Sequence, residues 1–336
     1  MIIMSKTPLR ISFFGGGTDL KSYWQKDEGC VFSTTINMYL YVILKERQDK
    51  KIGINSSKYE LVKHVDDIRH PIVREALKMV GVENNVDITI LTDVPEDGTG
   101  LGTSSSLTVG LLKALYAYKG MDIKAHELAR QSCVLEIDIL NKTIGKQDQY
   151  MATFGGMNKL RFLSNDDVIV EKVNINGKIK EKFQDHLMLF HTGINRKSEN
   201  ILSEQNKNAE KTSGSLMEMK LQVDLGIEFL QKNQFDEFGS LLQQGWQLKK
   251  SLSSKISNEY IDNHINFAIE AGAKGVKVSG AGGGGFLLII CPTKNQDSVR
   301  KALNSLKEYQ FSFSNNGSEI ILNQLQTRRQ ELNVFS

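Results

Sequence analysis

Asp97-Gly98-Thr99-Gly100-Leu101-Gly102-Thr103-Ser104-Ser105-Ser106 lies between a β-like run, Val86 to Leu91, and a helix-like run, Ser106 to Tyr118. The alternating glycines let backbone N–H groups approach a ligand. The hydroxyl cluster then opens a helix, whose N-terminus carries unpaired N–H groups and partial positive charge. The stretch reads as a phosphate cradle, and a flexible turn with a Ser/Thr helix cap is the alternative. Two familiar loops are excluded. A Walker A loop needs a lysine before its Ser/Thr, and residues 97 to 111 contain none. The dinucleotide fingerprint needs its third glycine where Thr103 stands.

Upstream, Pro8-Leu9-Arg10-Ile11-Ser12-Phe13-Phe14 alternates like a strand and runs into Gly15-Gly16-Gly17-Thr18-Asp19-Leu20. Glycines at a strand end admit a close ligand, and the carboxylate after them can accept hydrogen bonds from hydroxyls. A polyol pocket is one reading. A tight turn with Asp19 capping a helix from Leu20 to Gln25 is the other. Arg10 sits among apolar residues, where an unpaired guanidinium is expensive, so it should face a carboxylate or a phosphate. Val31 to Arg47 reads as one or two strands, and Asp67 to Val80 as a helix with a core stripe.

Downstream, Lys124 to Asn141 reads as one helix with two unlike acids. Glu127 has Lys124, Arg130 and Gln131 around it, the setting of a solvated side chain. Glu136 has Ala129, Cys133 and Leu140 on its face, so it should be partly buried and in need of a cation or donors. That makes it a candidate metal ligand, or else a salt-bridge partner of Arg10 or a lysine. Asp148 follows in Gly145-Lys146-Gln147-Asp148-Gln149-Tyr150, read as a loop, where catalytic side chains concentrate.

Strands are expected at Met157 to Phe162, Val168 to Val173 and His186 to Thr192, with a domain boundary between Leu163 and Phe183. Thr192 to Ala271 reads as an antiparallel helix set. Gly275 to Ser279 and Phe286 to Cys291 read as strands around Gly280-Ala281-Gly282-Gly283-Gly284-Gly285. That loop matches GxGxxG in form, but a strand follows it where a dinucleotide loop must open a helix. Asn295 is expected to cap a helix from Gln296 to Tyr309, with strands near Phe311 and Ile320.

Composition narrows the class. At 336 residues the chain exceeds the size at which single cores usually stop growing, so two domains are expected. A net charge of +3, with Lys and Arg scattered among acids, gives no reason to expect a nucleic-acid partner. Cys30, Cys133 and Cys291 are isolated, which suits a reducing compartment. Apolar runs such as Phe286 to Cys291 are too short to span a bilayer, so a cytoplasmic protein is expected.

The three glycine-bearing segments, at the amino end, near residue 100 and near residue 280, resemble those of the GHMP small-molecule kinases along nearly the whole chain. Pro95-x-x-Gly98-x-Gly100-Leu101-Gly102-Thr103-Ser104-Ser105 is close to that family's Pro-x-x-x-Gly-Leu-Gly-Ser-Ser-Ala. Pro8 to Leu20 and Thr192-Gly193-Ile194-x-Arg196 are similar to the sugar kinases, above all the bacterial D-glycero-D-manno-heptose 7-phosphate kinases.

The resemblance implies an α+β, two-domain fold. Residues 1–172 would form an ATP-binding domain like ribosomal protein S5 domain 2, and residues 173–336 a ferredoxin-like domain. It implies ATP as co-substrate, Mg2+, and transfer of the γ-phosphoryl group to the anomeric hydroxyl of a sugar phosphate, toward nucleotide-activated heptose and capsule or lipopolysaccharide. It further implies Asp148 and Arg10 as catalytic residues, and Ser104 and Glu136 as magnesium ligands. Gly98, Gly100, Leu101, Gly102, Thr103, Ser104 and Ser105 would hold the phosphates. Gly16, Gly17, Thr18, Asp19, Gly280, Gly282 and Gly283 would hold the substrate. If that substrate already carries a phosphate, a dianion in a cleft needs charged donors; Arg196 and Lys197, after a strand and opening a helix, are the candidates, and a pair of solvated basic side chains is the alternative. A fucokinase-like enzyme and a non-catalytic sugar or nucleotide sensor are the competing readings.

Overall fold

Alternating apolar residues at the amino end build a long strand, β1 (Ile2–Phe14), in the computed structural model of the protein, which describes residues 1–95, 98–194, 198–208 and 210–324. It pairs antiparallel with β2 (Gly29–Glu46), in a register running from Ile2 opposite Lys45 to Phe14 opposite Phe32. The register slips twice, beside Pro8, which has no N–H to donate, and between Ser12 and Phe14. The second slip turns the chain into the glycine triplet. β2 is one continuous strand, long enough to take two partners on its other edge.

β3 (Ile52–Asn55) and β4 (Tyr59–Val62) form a hairpin, and β3 lies parallel to β5 (Val86–Thr92). β5 pairs with the second half of β2, and β6 (Met157–Phe162) with the first half; β7 (Val168–Lys172) then flanks β6. Helices Pro71–Val80, Thr103–Tyr118 and Ala125–Cys133 cover this sheet. Val73, Leu77, Leu111 and Leu115 pack there on Leu40, Val42, Leu44 and Ile88. Gly81, in the left-handed region at φ 69°, stops the first of these helices, as its absent Cβ allows.

A second, antiparallel sheet has the order β11-β8-β10-β9, from β8 (Leu187–His191), β9 (Gly275–Val278), β10 (Phe286–Ile290) and β11 (Lys307–Glu308). Helices Ser213–Gln231 and Phe235–Lys250, joined by a short turn, and Glu259–Glu270 accompany it. One apolar cluster ties the sheets together, with Leu9 and Ile11 of β1 and Leu189 and Leu288 of the second sheet as members. Within it, Phe13 lies 5.3 to 5.6 Å, ring centre to ring centre, from Phe32, Phe183 and Phe238. A division after residue 172 separates the strands of the two sheets, except that β12 (Glu319–Asn323) returns to pair with β1.

Several local expectations are corrected. The segment after Asp19 is a four-residue helix, Lys21–Trp24, with no side-chain cap. The Lys124 to Asn141 helix is an α-helix only over Ala125–Cys133; Val134–Ile139 widens into a π-helix. Such widening rotates the following side chains and recurs at functional sites. Helix Gln296–Ala302 is uncapped by Asn295, whose amide donates to the Gly272 carbonyl at 3.1 Å. No strand forms at Phe311; nearby Phe313 makes a single bridge to Ile36.

Candidate active site

The alternating glycines behave as their spacing requires. Gly98, Gly100 and Gly102 have φ of 74°, 74° and 81°, a region in which side chains are strained. Helix Thr103–Tyr118 starts three residues earlier than its apolar pattern indicated, with Gly102 as N-cap and no side-chain cap. The Ser/Thr-cap alternative therefore fails. Thr103, Ser104 and Ser105 occupy the first helical turn and face a cleft of about 820 Å³. An uncapped first turn presents amide donors at the positive end of the helix dipole.

Behind Ser104 lies Glu136, within the π-helical turn and 0% exposed. Its Oε1 accepts from Ser104 Oγ at 2.8 Å and from Lys142 Nζ at 3.0 Å, and its Oε2 from Gln149 Nε2 at 2.8 Å. Lys142 Nζ also donates to Ser104 Oγ at 2.9 Å. The salt bridge foreseen for Glu136 is thus made with a lysine and not with Arg10.

Arg10 instead grips Asp148 through two bonds, Nε to Oδ1 and Nη2 to Oδ2, each 2.7 Å. Its Nη1 donates to the Gly100 carbonyl, and its own N–H to the Leu101 carbonyl at 3.0 Å. A planar fork of donors matches a carboxylate at both oxygens, which fixes Asp148 against the glycine loop. Asp148 lies in the first turn of helix Gln147–Phe154, not in a loop. Ser12 donates to Gln147 Oε1 at 2.9 Å, and Gln147 Nε2 to Asp148 Oδ1 at 3.2 Å.

Asp19 stands nearby, half-buried, accepting from the Gly17 N–H at 3.0 Å and the Gln147 N–H at 3.4 Å. Burial, and then the neighbouring Asp148 charge, raise its pKa above the usual carboxylate range despite those bonds.

The third glycine segment meets the first two. A Cβ on Gly280 would come 2.6 Å from Gly100 Cα, and the Phe286 N–H donates to the Thr99 carbonyl at 3.2 Å. Arg10, Gly16, Gly17, Asp19, Gly98, Gly100, Gly102, Thr103, Ser104, Ser105, Asp148 and Gly280 all line the one cleft. Other expected residues point elsewhere. Thr18 is buried, its hydroxyl bonded to the carbonyls of Gly15 and Cys30 at 2.8 and 2.9 Å. The Leu101 side chain is in the apolar core. Gly282 and Gly283 pack on Ile256, with Gly283 N–H donating to its carbonyl at 2.6 Å. Arg196 and Lys197 lie outside the described residues.

The cleft also holds residues that the sequence did not single out. Leu40, Pro71, Ile72, Ile90 and Leu107 give it an apolar end, and Ser12, Lys142, Gln147, Lys249 and Lys277 add polar groups. Only Lys277 carried a usable signal, a lysine inside the apolar strand Gly275-Val276-Lys277-Val278.

Two family descriptions match the chain, GHMP kinases N terminal domain over residues 66–156 and GHMP kinases C terminal over residues 227–310. The chain belongs to the GHMP kinase family, with the α+β two-domain fold that its structural neighbours share. Among its relatives is a D-glycero-alpha-D-manno-heptose 7-phosphate kinase of Campylobacter jejuni, 32% identical, with 94% of this chain and 97% of that protein covered. The crystal structure of a D-glycero-D-manno-heptose 1-phosphate kinase from Bacteroides thetaiotaomicron superimposes with a TM-score of 0.80 at 26% identity, covering 96% of this chain and 99% of that one. An L-fucokinase/L-fucose-1-P guanylyltransferase of Bacteroides fragilis is 27% identical over 86% of this chain, which spans 34% of that longer protein.

Proposed function

We propose that the protein is an ATP-dependent sugar kinase that transfers the γ-phosphoryl group to the anomeric hydroxyl of D-glycero-D-manno-heptose 7-phosphate. The observation that carries this reading is the Asp148 carboxylate, held at both oxygens by Arg10 against the glycine loop and open to the cleft. Phosphoryl transfer depends on holding donor and acceptor in line and neutralising phosphate charge. The amides of residues 98–105 and the dipole of helix Thr103–Tyr118 serve the phosphates. The apolar end of the cleft takes the flat base.

Asp19 and Asp148 hold acceptor hydroxyls. The attacking oxygen bonds to the γ-phosphorus as the bond to the bridging oxygen breaks, and Asp148 receives the hydroxyl's proton. Arg10 holds the carboxylate in place at both oxygens, and its guanidinium does not itself give up a proton.

The donor set of Ser104 and Glu136 fits Mg2+. Both are hard oxygen ligands, and a cation, the Lys142 ammonium, already lies on them. Among the described residues no group of three His, Cys, Asp or Glu could hold a metal ion alone, so an ion here would share its sphere with nucleotide phosphates. Bound there, Mg2+ would neutralise phosphate charge.

The similarity to a heptose 7-phosphate kinase supports the acceptor assignment, and the two sheets support a division into residues 1–172 and 173–336. The fucokinase relative supports a second reading, a 6-deoxyhexose acceptor. An ADP-release assay with ATP and Mg2+ across heptose 7-phosphate, fucose, galactose and mevalonate tests both. ADP with heptose 7-phosphate alone supports the first. ADP with fucose replaces it with the second, and none with any acceptor leaves a sensor.

A further inference from the structure

Lys249 and Lys277 put two ammonium groups into the cleft wall that the transfer chemistry above leaves unused. Each residue is 6% exposed. Lys249 lies in the last turn of helix Phe235–Lys250 and donates to the Gly280 carbonyl. Lys277 stands in β9 and reaches the carbonyls of Ser12 and Phe13 at 3.1 and 2.9 Å. Two acceptors leave an ammonium with a third N–H. Buried ammonium groups are ordinarily paired with carboxylates, but among the described residues no acid forms a salt bridge with Lys277. Its charged neighbours are Lys249 and Arg10, and these, after burial itself, push its pKa well below the usual lysine range.

Among the described residues, no acid of the cleft reaches Lys277. Asp148 is taken by Arg10, Asp19 accepts from the N–H groups of Gly17 and Gln147, and Glu199 is exposed. An anion entering the cleft would relieve the crowding of cations.

Position decides which anion. A Cβ on Gly16 would lie 3.9 Å from Lys249 Nζ and 3.7 Å from Ser12 Oγ, so Lys249 overhangs the turn leading to Asp19. This is the part of the cleft assigned above, through Asp19, to the acceptor. Gln205, 2% exposed, lines the same part beside Gly17, and its Nε2 donates to no acceptor among the described residues. Two buried ammonium groups and an unmet amide donor lie around the end of β1 and the Gly16–Gly17 turn. The nucleotide's charge is already served by the glycine loop, its helix and the Glu136 site.

We infer that Lys249, Lys277 and Gln205 form a subsite for a phosphate monoester already carried by the acceptor sugar. The subsite selects sugar phosphates over free sugars, and it uses residues distinct from Arg196 and Lys197. This rests on the sugar-kinase reading.

The test is steady-state kinetics of the parent, Lys249→Gln and Lys249→Arg with heptose 7-phosphate and with unphosphorylated heptose, at saturating ATP. Charge-assisted hydrogen bonds of this kind lead to an expected parent preference for the phosphorylated sugar of about 100-fold in kcat/KM. Lys249→Gln should reduce that preference to under about 10-fold, mainly through a higher KM for the sugar phosphate, while the KM for ATP stays within about 3-fold. Lys249→Arg should keep most of the preference, and inorganic phosphate should compete with the sugar phosphate in the parent but not in Lys249→Gln. An unchanged preference in Lys249→Gln, or a fall in kcat alone, overturns the subsite. A parent that phosphorylates both sugars equally also overturns it and leaves the kinase reading standing. A parent silent on every sugar overturns both.

Discussion

Lys142 Nζ lies 3.0 Å from Glu136 Oε1, and the two share Ser104 Oγ, so an ammonium group covers the oxygen pair assigned to a divalent cation. The two residues then have opposite effects on metal use. Glu136→Gln removes charge from the ligand set and should raise the Mg2+ concentration for half-maximal activity about 10-fold. Lys142→Gln removes the competing cation and should lower it. Manganese binding followed by electron paramagnetic resonance should show the same opposition without turnover. An unaltered titration in Glu136→Gln would leave that carboxylate a purely structural salt-bridge partner.

The bidentate Arg10–Asp148 pair predicts separable defects. Asp148→Ala should lower kcat by about 10²–10⁴-fold, the usual share of a group that handles the transferred proton, with the KM for ATP little changed. Arg10→Lys keeps a charge but loses the two-point grip, and should recover only part of the activity of the parent over Arg10→Ala. Wild-type turnover in Asp148→Ala would remove Asp148 from the mechanism.

Asp19 should trade stability for binding. Its pKa is raised on folding, so the folded state holds its proton to higher pH than the unfolded chain does. Stability from this group is complete below the unfolded value of about 3.8 and is lost as pH rises through the folded one. Asp19→Asn should therefore melt higher than the parent at pH 7, by about 1–2 °C, and lose that advantage near pH 3.5. Its KM for the acceptor should rise at the same time. A lower melting temperature at pH 7 would contradict the assignment of burial as the main cause.

Gly100 combines a φ of 74° with backbone contact to Ser279 and Gly280 across the cleft. Gly100→Ala should cost about 1–3 kcal/mol of stability and weaken nucleotide binding, because both loops must shift. Thermal melts with and without ATP would record both effects.

Much of this architecture was legible in the order of residues. The strand Val86 to Leu91, the glycine loop and the third glycine segment stand close to where periodicity placed them, because alternation and glycine are local signals. The boundaries that failed depended on distant partners. Asp19 was available as a helix cap until the amide of Gln147, 128 residues away, took its carboxylate. The burial of Glu136 was legible from its helical neighbours, but the π-helical turn that holds it leaves no mark in composition. Lys142, Lys249 and Gln205 look like ordinary surface residues of polar segments, and only packing between elements makes them part of the cleft. Arg10 was the exception, since a guanidinium in an apolar strand requires a partner wherever it comes from.

The most direct test of phosphoryl transfer at Asp148 is phosphorus-31 NMR of the product formed from ATP and D-glycero-D-manno-heptose 7-phosphate, with Asp148→Ala in parallel. The account predicts a second phosphate resonance coupled to the anomeric proton, formed with one ADP per sugar and absent with the variant. ADP without a sugar-bound phosphate, or a resonance coupled to any other ring proton, would contradict it.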